Sequence, residues 1–206
     1  MTASIPGRRP RAPRLIALGA GVLSLGLLLS GCGTDPLADQ YRNADNQNYI
    51  AGDGTVTEIG VSEREGPVSY EGVSETGETI SSEDYLGEVV VVNFWYAGCA
   101  PCRAEAPDLQ AISEEFAGKG ASMLGVNVYD QPDTALSFNK TYGVTYPSIM
   151  DIQDGAVKLA FTGQVRPNAV PTTLVIDKEG RVAARVLGQL TERSILQTIV
   201  RDTIAE

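Results

Sequence analysis

The chain of 206 residues contains no histidine, and this absence excludes several kinds of site. A Ser-His-Asp hydrolase needs an imidazole as its general base, and a haem-attachment motif needs a histidine directly after its second cysteine. A histidine-containing copper site is excluded in the same way. Only three cysteines are present, too few for a zinc site of four cysteine or histidine ligands. We therefore expect neither a metal ion nor a cofactor.

Positive charge is also scarce. The chain has 16 lysine and arginine residues against 26 aspartate and glutamate residues, so its formal net charge is −10 at pH 7. The arginines at positions 8, 9, 11 and 14 lie in residues 1–31, which contain no acidic side chain, so the rest of the chain is more acidic still. Such a surface disfavours nucleic acid and is repelled by anionic lipid headgroups. We expect no nucleic-acid partner.

Residues 1–31 have the features of a secretory signal peptide. The arginines precede an apolar stretch from Leu15 to Leu29 that is short and interrupted by glycine. The stretch ends in Leu29-Ser-Gly-Cys32, which resembles the lipobox of bacterial lipoproteins. This resemblance implies that Cys32 is acylated and becomes the mature N-terminus. An ordinary secreted protein with an unmodified Cys32, and a single-span membrane anchor, remain alternatives.

The segment after Cys32 is predicted to be a tether. Residues 32–60 are polar, lack apolar periodicity and are rich in turn-forming residues. Residues 61–206 are then enough for one domain with a single core. If Cys32 carries lipid, Cys99 and Cys102 are left as a pair in a compartment where disulfides persist.

The pair forms a Cys99-Ala-Pro-Cys102 motif between a predicted strand and a predicted helix. Residues 88–95 are an unbroken β-branched and aromatic run, typical of a strand buried on both faces of a sheet. Pro101 suits a first helical turn, and apolar residues recur at helical spacing over residues 101–117. Cys99 therefore lies at a helix N-terminus, which favours its thiolate, and Cys102 faces the core and would resolve a mixed disulfide.

The remaining pattern predicts an α/β sheet covered on both sides. Parallel strands are expected first and an antiparallel hairpin with a closing helix last. The predicted elements are a hairpin over 68–80, a short capped helix from 81, a strand over 121–128, a helix over 132–142, a strand over 146–150, a short helix over 154–161, a hairpin of strands 172–176 and 181–187, and a helix from Thr191.

This order of elements and the dithiol resemble the thioredoxin superfamily, and in detail its membrane-anchored reductases of the TlpA/ResA type. The resemblance is carried by VNFWYAGCAPCRAEAP over residues 92–107 and VPTTLVIDKEG over residues 170–180, and it spans about residues 62–206. It implies a thioredoxin-like fold with a mixed sheet and an N-terminal β-hairpin extension. It also implies that Pro171 follows a cis bond, which would turn the main chain of Val170 toward an extended substrate beside Cys99.

Three further residues are assigned roles near the dithiol. Glu105 lies on the apolar stripe of the predicted helix, so its pKa should be raised and it could exchange the proton of Cys102. Alternatively, Glu105 lies at the edge of the stripe and its side chain reaches solvent. The resemblance favours the first interpretation, in which Glu105 is the functional acid. Asn93 stands where thioredoxin has an aspartate. Because asparagine cannot ionise, Asn93 has either a structural role in the core or a catalytic role that involves no proton transfer of its own. By the same resemblance Trp95 packs beneath the site.

Two positions beside the cysteines leave the substrate and the thiolate environment open. Gly98 occupies the place where the family often has tryptophan, which opens the rim of the site. Arg103 either supports the Cys99 thiolate by its charge or is a solvated surface arginine.

The resemblance implies a monomeric, lipid-anchored thiol-disulfide reductase at the outer face of the cytoplasmic membrane of a bacterium. Electrons would come from a membrane thiol-disulfide donor, and the target would be the C-x-x-C-H cysteines of apocytochrome c in cytochrome c biogenesis. One alternative is an oxidase that donates disulfides to secreted proteins, since residues between the cysteines only weakly set the direction. Another is a lipoprotein module that binds a partner or a metal and has no catalytic role.

Overall fold

The computed structural model describes residues 55–163 and 169–206. The predicted signal peptide, the predicted lipidation site at Cys32 and residues 32–54 of the predicted tether lie outside these ranges, and so do residues 164–168.

A mixed sheet of six strands organises the described residues, in the order β1-β8-β7-β4-β5-β6. A second, two-stranded sheet pairs β2 with β3. The strands are β1 Thr55–Glu58, β2 Glu71–Val73, β3 Thr79–Ser81, β4 Val89–Trp95, β5 Ala121–Asn127, β6 Ser148–Met150, β7 Thr172–Ile176 and β8 Val182–Leu187.

Strand β4 lies at the centre of the sheet, as its uninterrupted apolar run predicts. All of its residues are buried. It pairs in parallel with β5 and antiparallel with β7, and β7 pairs antiparallel with β8. β4, the following helix and β5 thus form the predicted βαβ unit, and the predicted C-terminal hairpin is confirmed.

Helices cover both faces of the sheet, which confirms the predicted layering. The helices are α1 Ala100–Phe116, α2 Pro132–Tyr142, α3 Ala156–Ala160 and α4 Arg193–Ala205. One core cluster contains buried residues of α1, α2 and α4 together with Val89, Val91 and Trp95 of β4. The other contains Val90, Val92 and Phe94 with residues of α3 and of the β2–β3 hairpin.

The predicted N-terminal hairpin is present and is followed by the predicted short capped helix. Ser81 and Asp84 form a reciprocal capping box at a short 3-10 helix, Ser82–Tyr85. The hairpin is joined to the main sheet by Glu75, whose Oε2 accepts a 2.8 Å hydrogen bond from the N–H of Ser148.

One boundary differs from the sequence interpretation. The polar tether was expected to extend to residue 60, but Thr55–Glu58 forms strand β1 and pairs antiparallel with β8 from Thr55↔Leu187 to Glu58↔Ala184. The segment has only four residues, and three of them are polar, so it lacks an apolar run such as that of β4. Pairing with the free edge of β8 supplies its main-chain partners. None of the helices among the described residues is long and apolar enough to span a bilayer.

Candidate functional site

Cys99 and Cys102 form a disulfide at the first turn of α1, with an S–S distance of 2.02 Å. Cys99 is the N-cap of the helix, and its Sγ accepts a 3.1 Å hydrogen bond from the N–H of Cys102. Pro101 lies in the first turn, where its missing N–H costs no helical hydrogen bond. Both cysteines are buried, with Cys99 0% and Cys102 2% exposed. The predicted position of Cys99 at a helix N-terminus is confirmed.

The Val170–Pro171 peptide bond is cis, as the resemblance implies. It directly precedes β7, the antiparallel neighbour of β4. Val170 and Cys99 belong to the same core cluster, so the fold brings the two chain segments together. The main-chain carbonyl of Pro171 accepts a 2.9 Å hydrogen bond from Gly188, which follows β8. The role of Val170 in substrate binding stays a prediction.

Glu105 is buried on the inner face of α1, one turn after Cys102, and is only 1% exposed. Its Oε1 accepts a 3.0 Å hydrogen bond from Nδ2 of Asn93. Its Oε2 accepts a 2.8 Å hydrogen bond from the N–H of Leu190, in the loop between β8 and α4. The alternative of a side chain that reaches solvent is wrong, because both carboxylate oxygens are held inside the protein.

Burial raises the pKa of Glu105 to about 7, from an ordinary value of 4.5. The hydrogen bonds from Leu190 and Asn93 lower the pKa, because they favour the charged form, and the charge of Asp108 raises it. A carboxyl group with such a pKa exchanges its proton near neutral pH, where thiols and disulfides interconvert. The predicted upward shift is therefore confirmed in direction.

Asn93 positions the carboxylate of Glu105. Its Nδ2 donates to Glu105 and also to Oγ1 of Thr173, at 3.0 Å in each case. The residue is 2% exposed and lies in the central strand β4. Because an amide does not ionise, Asn93 holds the acid in place without competing for its proton.

Trp95 packs beneath the dithiol, as predicted. Its Nε1 donates a 3.1 Å hydrogen bond to Oγ of Ser148, and its ring centroid lies 4.3 Å from that of Phe138. Trp95 and Phe138, together with Asn93, Cys102 and Tyr146, line a cavity beside the resolving cysteine. Burial raises the pKa of Tyr146, and the charge of Glu105 raises it further.

Arg103 is half-buried, and its Nη1 donates a 3.0 Å hydrogen bond to the carbonyl of Ala97. It is thus not a freely solvated surface arginine. Gly98 is exposed, and a Cβ at this position would lie 3.2 Å from Cε2 of Tyr96. A larger side chain at position 98 would therefore clash with the ring of Tyr96 unless the ring moved.

Asp130 and Leu190 are site residues that the sequence analysis missed. Asp130 follows β5, and its Oδ2 accepts a 2.6 Å hydrogen bond from the N–H of Ala97, just before the dithiol. The carboxyl ends of neighbouring parallel strands meet at one edge of a sheet, so a polar residue after β5 was a usable signal. Leu190 contributes only its main chain, which carries no sequence signal.

Residues 67–185, more than half of the chain, match the AhpC/TSA family. The chain belongs to this family. Among relatives of this AhpC/TSA protein is the thiol-disulfide oxidoreductase ResA of Bacillus subtilis (strain 168), 35% identical over 119 residues, which cover 58% of this chain and 64% of the relative. Another is the thiol:disulfide interchange protein HelX of Rhodobacter capsulatus, 36% identical over 113 residues, covering 55% and 60%. The matched segment thus spans less than two thirds of these relatives.

Solved structures cover more of this AhpC/TSA chain. A secreted thiol-disulfide isomerase from Corynebacterium glutamicum is 32% identical, with a TM-score of 0.65, and the match covers 76% of this chain and 96% of that one. A DsbF homologue from Corynebacterium diphtheriae is 33% identical, with a TM-score of 0.63, covering 74% and 96%. The thioredoxin-like fold and the resemblance to ResA-type proteins are confirmed. Within residues 55–163 and 169–206, no group of three or more cysteine, histidine or acidic side chains could hold a metal ion.

Proposed function

We propose that this AhpC/TSA protein is a thiol-disulfide oxidoreductase that acts on protein substrates. The observation that carries the proposal is the Cys99–Cys102 disulfide at the N-terminus of α1, next to the cis Val170–Pro171 bond and above the buried Glu105. The helix N-terminus stabilises a thiolate, and the buried acid provides a proton acceptor within one turn of the second cysteine.

In the reducing direction, the thiolate of Cys99 attacks one sulfur of a substrate disulfide. A mixed disulfide forms, and the other substrate sulfur leaves as a thiolate that takes up a proton. Cys102 then loses its proton, and its sulfur attacks Sγ of Cys99, which releases the second substrate thiol. The enzyme dithiol becomes a disulfide, and two electrons pass to the substrate.

Glu105 accepts the proton of Cys102 in this scheme. Its pKa of about 7 is low enough for it to be partly ionised and high enough for it to return the proton when the disulfide is reduced again. In reduced protein, the Glu105→Gln variant should change the pH at which Cys102 titrates, measured by alkylation and mass spectrometry. If Cys102 titrates as in the unaltered protein, Glu105 does not handle its proton.

Trapping of the mixed disulfide tests the order of attack. Cys102→Ser should accumulate a mixed disulfide through Cys99, because the resolving sulfur is missing, whereas Cys99→Ser should trap nothing. The two variants are matched, since each replaces one buried sulfur by oxygen in the same turn of α1. Full function of Cys99→Ser in the cell would favour a binding module without catalysis.

We propose reduction as the physiological direction, with the C-x-x-C-H cysteines of apocytochrome c as substrate and a membrane thiol-disulfide protein as electron donor. Support comes from the similarity to ResA, 35% identical, and from the TlpA/ResA-type residues around both cysteines. The similarity to a DsbF homologue and to a secreted thiol-disulfide isomerase favours a second candidate, a donor or isomerase of disulfides in secreted proteins.

The reduction potential of the Cys99–Cys102 pair separates these candidates. Equilibration with defined thiol buffers should give a value near or below that of thioredoxin, about −270 mV, for a reductant. A value near that of a strong folding oxidant, about −120 mV, would instead identify a disulfide donor.

We further propose that Cys32 carries a lipid anchor that holds the domain at the outer face of the cytoplasmic membrane. Arg-rich residues 1–14, the apolar stretch to Leu29 and the lipobox-like Leu29-Ser-Gly-Cys32 support this. In cells given a labelled fatty acid, the protein expressed from the full-length sequence should become labelled, and Cys32→Ala should abolish the label. Labelling that persists in Cys32→Ala would contradict the anchor.

A further inference from the structure

Ala97 lies between the end of β4 and Cys99, and charged side chains hold both polar groups of its main chain. Its N–H donates to Oδ2 of Asp130 at 2.6 Å, and its carbonyl accepts from Nη1 of Arg103 at 3.0 Å. A negative and a positive side chain thus meet at a single residue, two positions before the attacking cysteine.

The carboxylate of Asp130 is held in place by the end of β5. Asn127, the last residue of β5, is fully buried and lies opposite Trp95 of β4 in the sheet. Its Nδ2 donates a 2.9 Å hydrogen bond to Oδ2 of Asp130, and its Oδ1 accepts a 2.8 Å hydrogen bond from the N–H of Asp130. Asp130 is therefore oriented toward Ala97 by a rigid core residue.

The guanidinium of Arg103 is held from the other side. Arg103 lies one turn after Cys99 in α1, and its N–H donates a 3.1 Å hydrogen bond to the carbonyl of Cys99. Its side chain folds back over this turn to reach Ala97 and is half-buried. Because water only partly screens this charge, it acts on the sulfur of Cys99 more strongly than a free surface arginine would.

We propose that Arg103 and Asp130 are a pair of positioning residues that set the reactivity of Cys99 in opposite directions. Arg103 favours the thiolate, Asp130 opposes it, and Ala97 fixes the place of both charges. A charge that stabilises the thiolate also stabilises the reduced form and so makes the protein a better oxidant. The inference rests on the proposed role of Cys99 as the attacking thiol.

The test compares two variants that remove charge and keep hydrogen-bonding capacity. Asp130→Asn can still accept from Ala97, and Arg103→Gln keeps an uncharged N–H donor on a shorter side chain. In reduced full-chain protein, the midpoint of the pH dependence of Cys99 alkylation by iodoacetamide should fall in Asp130→Asn and rise in Arg103→Gln. Each shift should be at least about half a pKa unit, as expected for one fixed charge close to a buried sulfur.

Matched controls separate the effect of the removed charge from the effect of a disturbed loop. Asp133→Asn and Arg193→Gln each remove an exposed charge that is not bonded to Ala97, and both should leave the midpoint unchanged. Arg103→Lys keeps the charge and should restore most of the unaltered value. Loosening of the loop would move the midpoint in the same direction in Asp130→Asn and Arg103→Gln.

Shifts of the same sign, or no shift in either variant, overturn the inference. Peptide mapping of the alkylated protein shows which cysteine reacts first. Faster reaction of Cys102 overturns the proposed order of attack and the inference with it. Faster reaction of Cys99 without opposite shifts leaves the proposed function standing and overturns the charge pair alone.

Discussion

Replacement of Glu105 by glutamine should remove a specific part of the pH dependence of stability. Burial raises the pKa of Glu105 to about 7 in the folded protein, against an ordinary value of 4.5. The folded state therefore binds this proton more tightly than the unfolded chain. The contribution of the group to stability is fully present below pH 4.5 and is lost as the pH rises through about 7. The difference between the two values corresponds to about 3 kcal/mol of unfolding free energy.

Urea unfolding of the oxidised protein measures this effect, since the disulfide prevents the cysteines from titrating. Between pH 5 and pH 8, the unaltered protein should lose about 2 kcal/mol more unfolding free energy than Glu105→Gln. Asp151, whose pKa burial also raises, is present in both proteins and cancels. Glu114→Gln, an exposed change in the same helix, should follow the unaltered profile. Parallel profiles for Glu105→Gln and the unaltered protein would refute the reasoning.

Two further changes probe the frame around the site. Asp177→Asn should cost about 2 kcal/mol at neutral pH, because the nearly buried guanidinium of Arg64 loses its 3.0 Å carboxylate partner Asp177 and keeps only Glu206. Burial raises the pKa of Asp177, but the hydrogen bonds from Arg181 and Arg64 lower it by more than burial raises it. The pKa of Asp177 therefore lies below its ordinary value. The contribution of Asp177 to stability is therefore present above pH 3.8 and lost on acidification. The urea midpoints of the unaltered protein and Asp177→Asn should accordingly converge in acid. A difference between the midpoints that stays constant with pH would contradict this. Gly125→Ala should lower the free energy of unfolding by about 1–3 kcal/mol, because a Cβ there would lie 2.8 Å from Nε1 of Trp95 and overpack the core. The same contact should alter the fluorescence of the single tryptophan. Unchanged stability and emission would show that the core has room for the added methyl group.

The elements that carry the site were predictable because each has a strong local pattern. Residues 88–95 form an uninterrupted apolar run, and the structure has a fully buried strand there. The helical spacing of apolar residues after Cys99 placed Glu105 on the inner face of α1, where it is buried. Strand β1 was not predictable, because Thr55–Glu58 becomes a strand only through pairing with β8, more than a hundred residues later in the chain.

The sequence by itself determined the dithiol, its place at a helix N-terminus and the buried acid one turn later. These features depend on neighbours within a few residues, where strand and helix periodicity act. Only the tertiary structure decided what surrounds them. Oε2 of Glu105 accepts from the N–H of Leu190, 85 residues away, and Asp130 reaches Ala97 across the ends of β5 and β4. Such contacts form when the sheet brings distant segments together. Every residue except proline has a main-chain N–H, so the sequence does not indicate which of these donors will bind a given side chain.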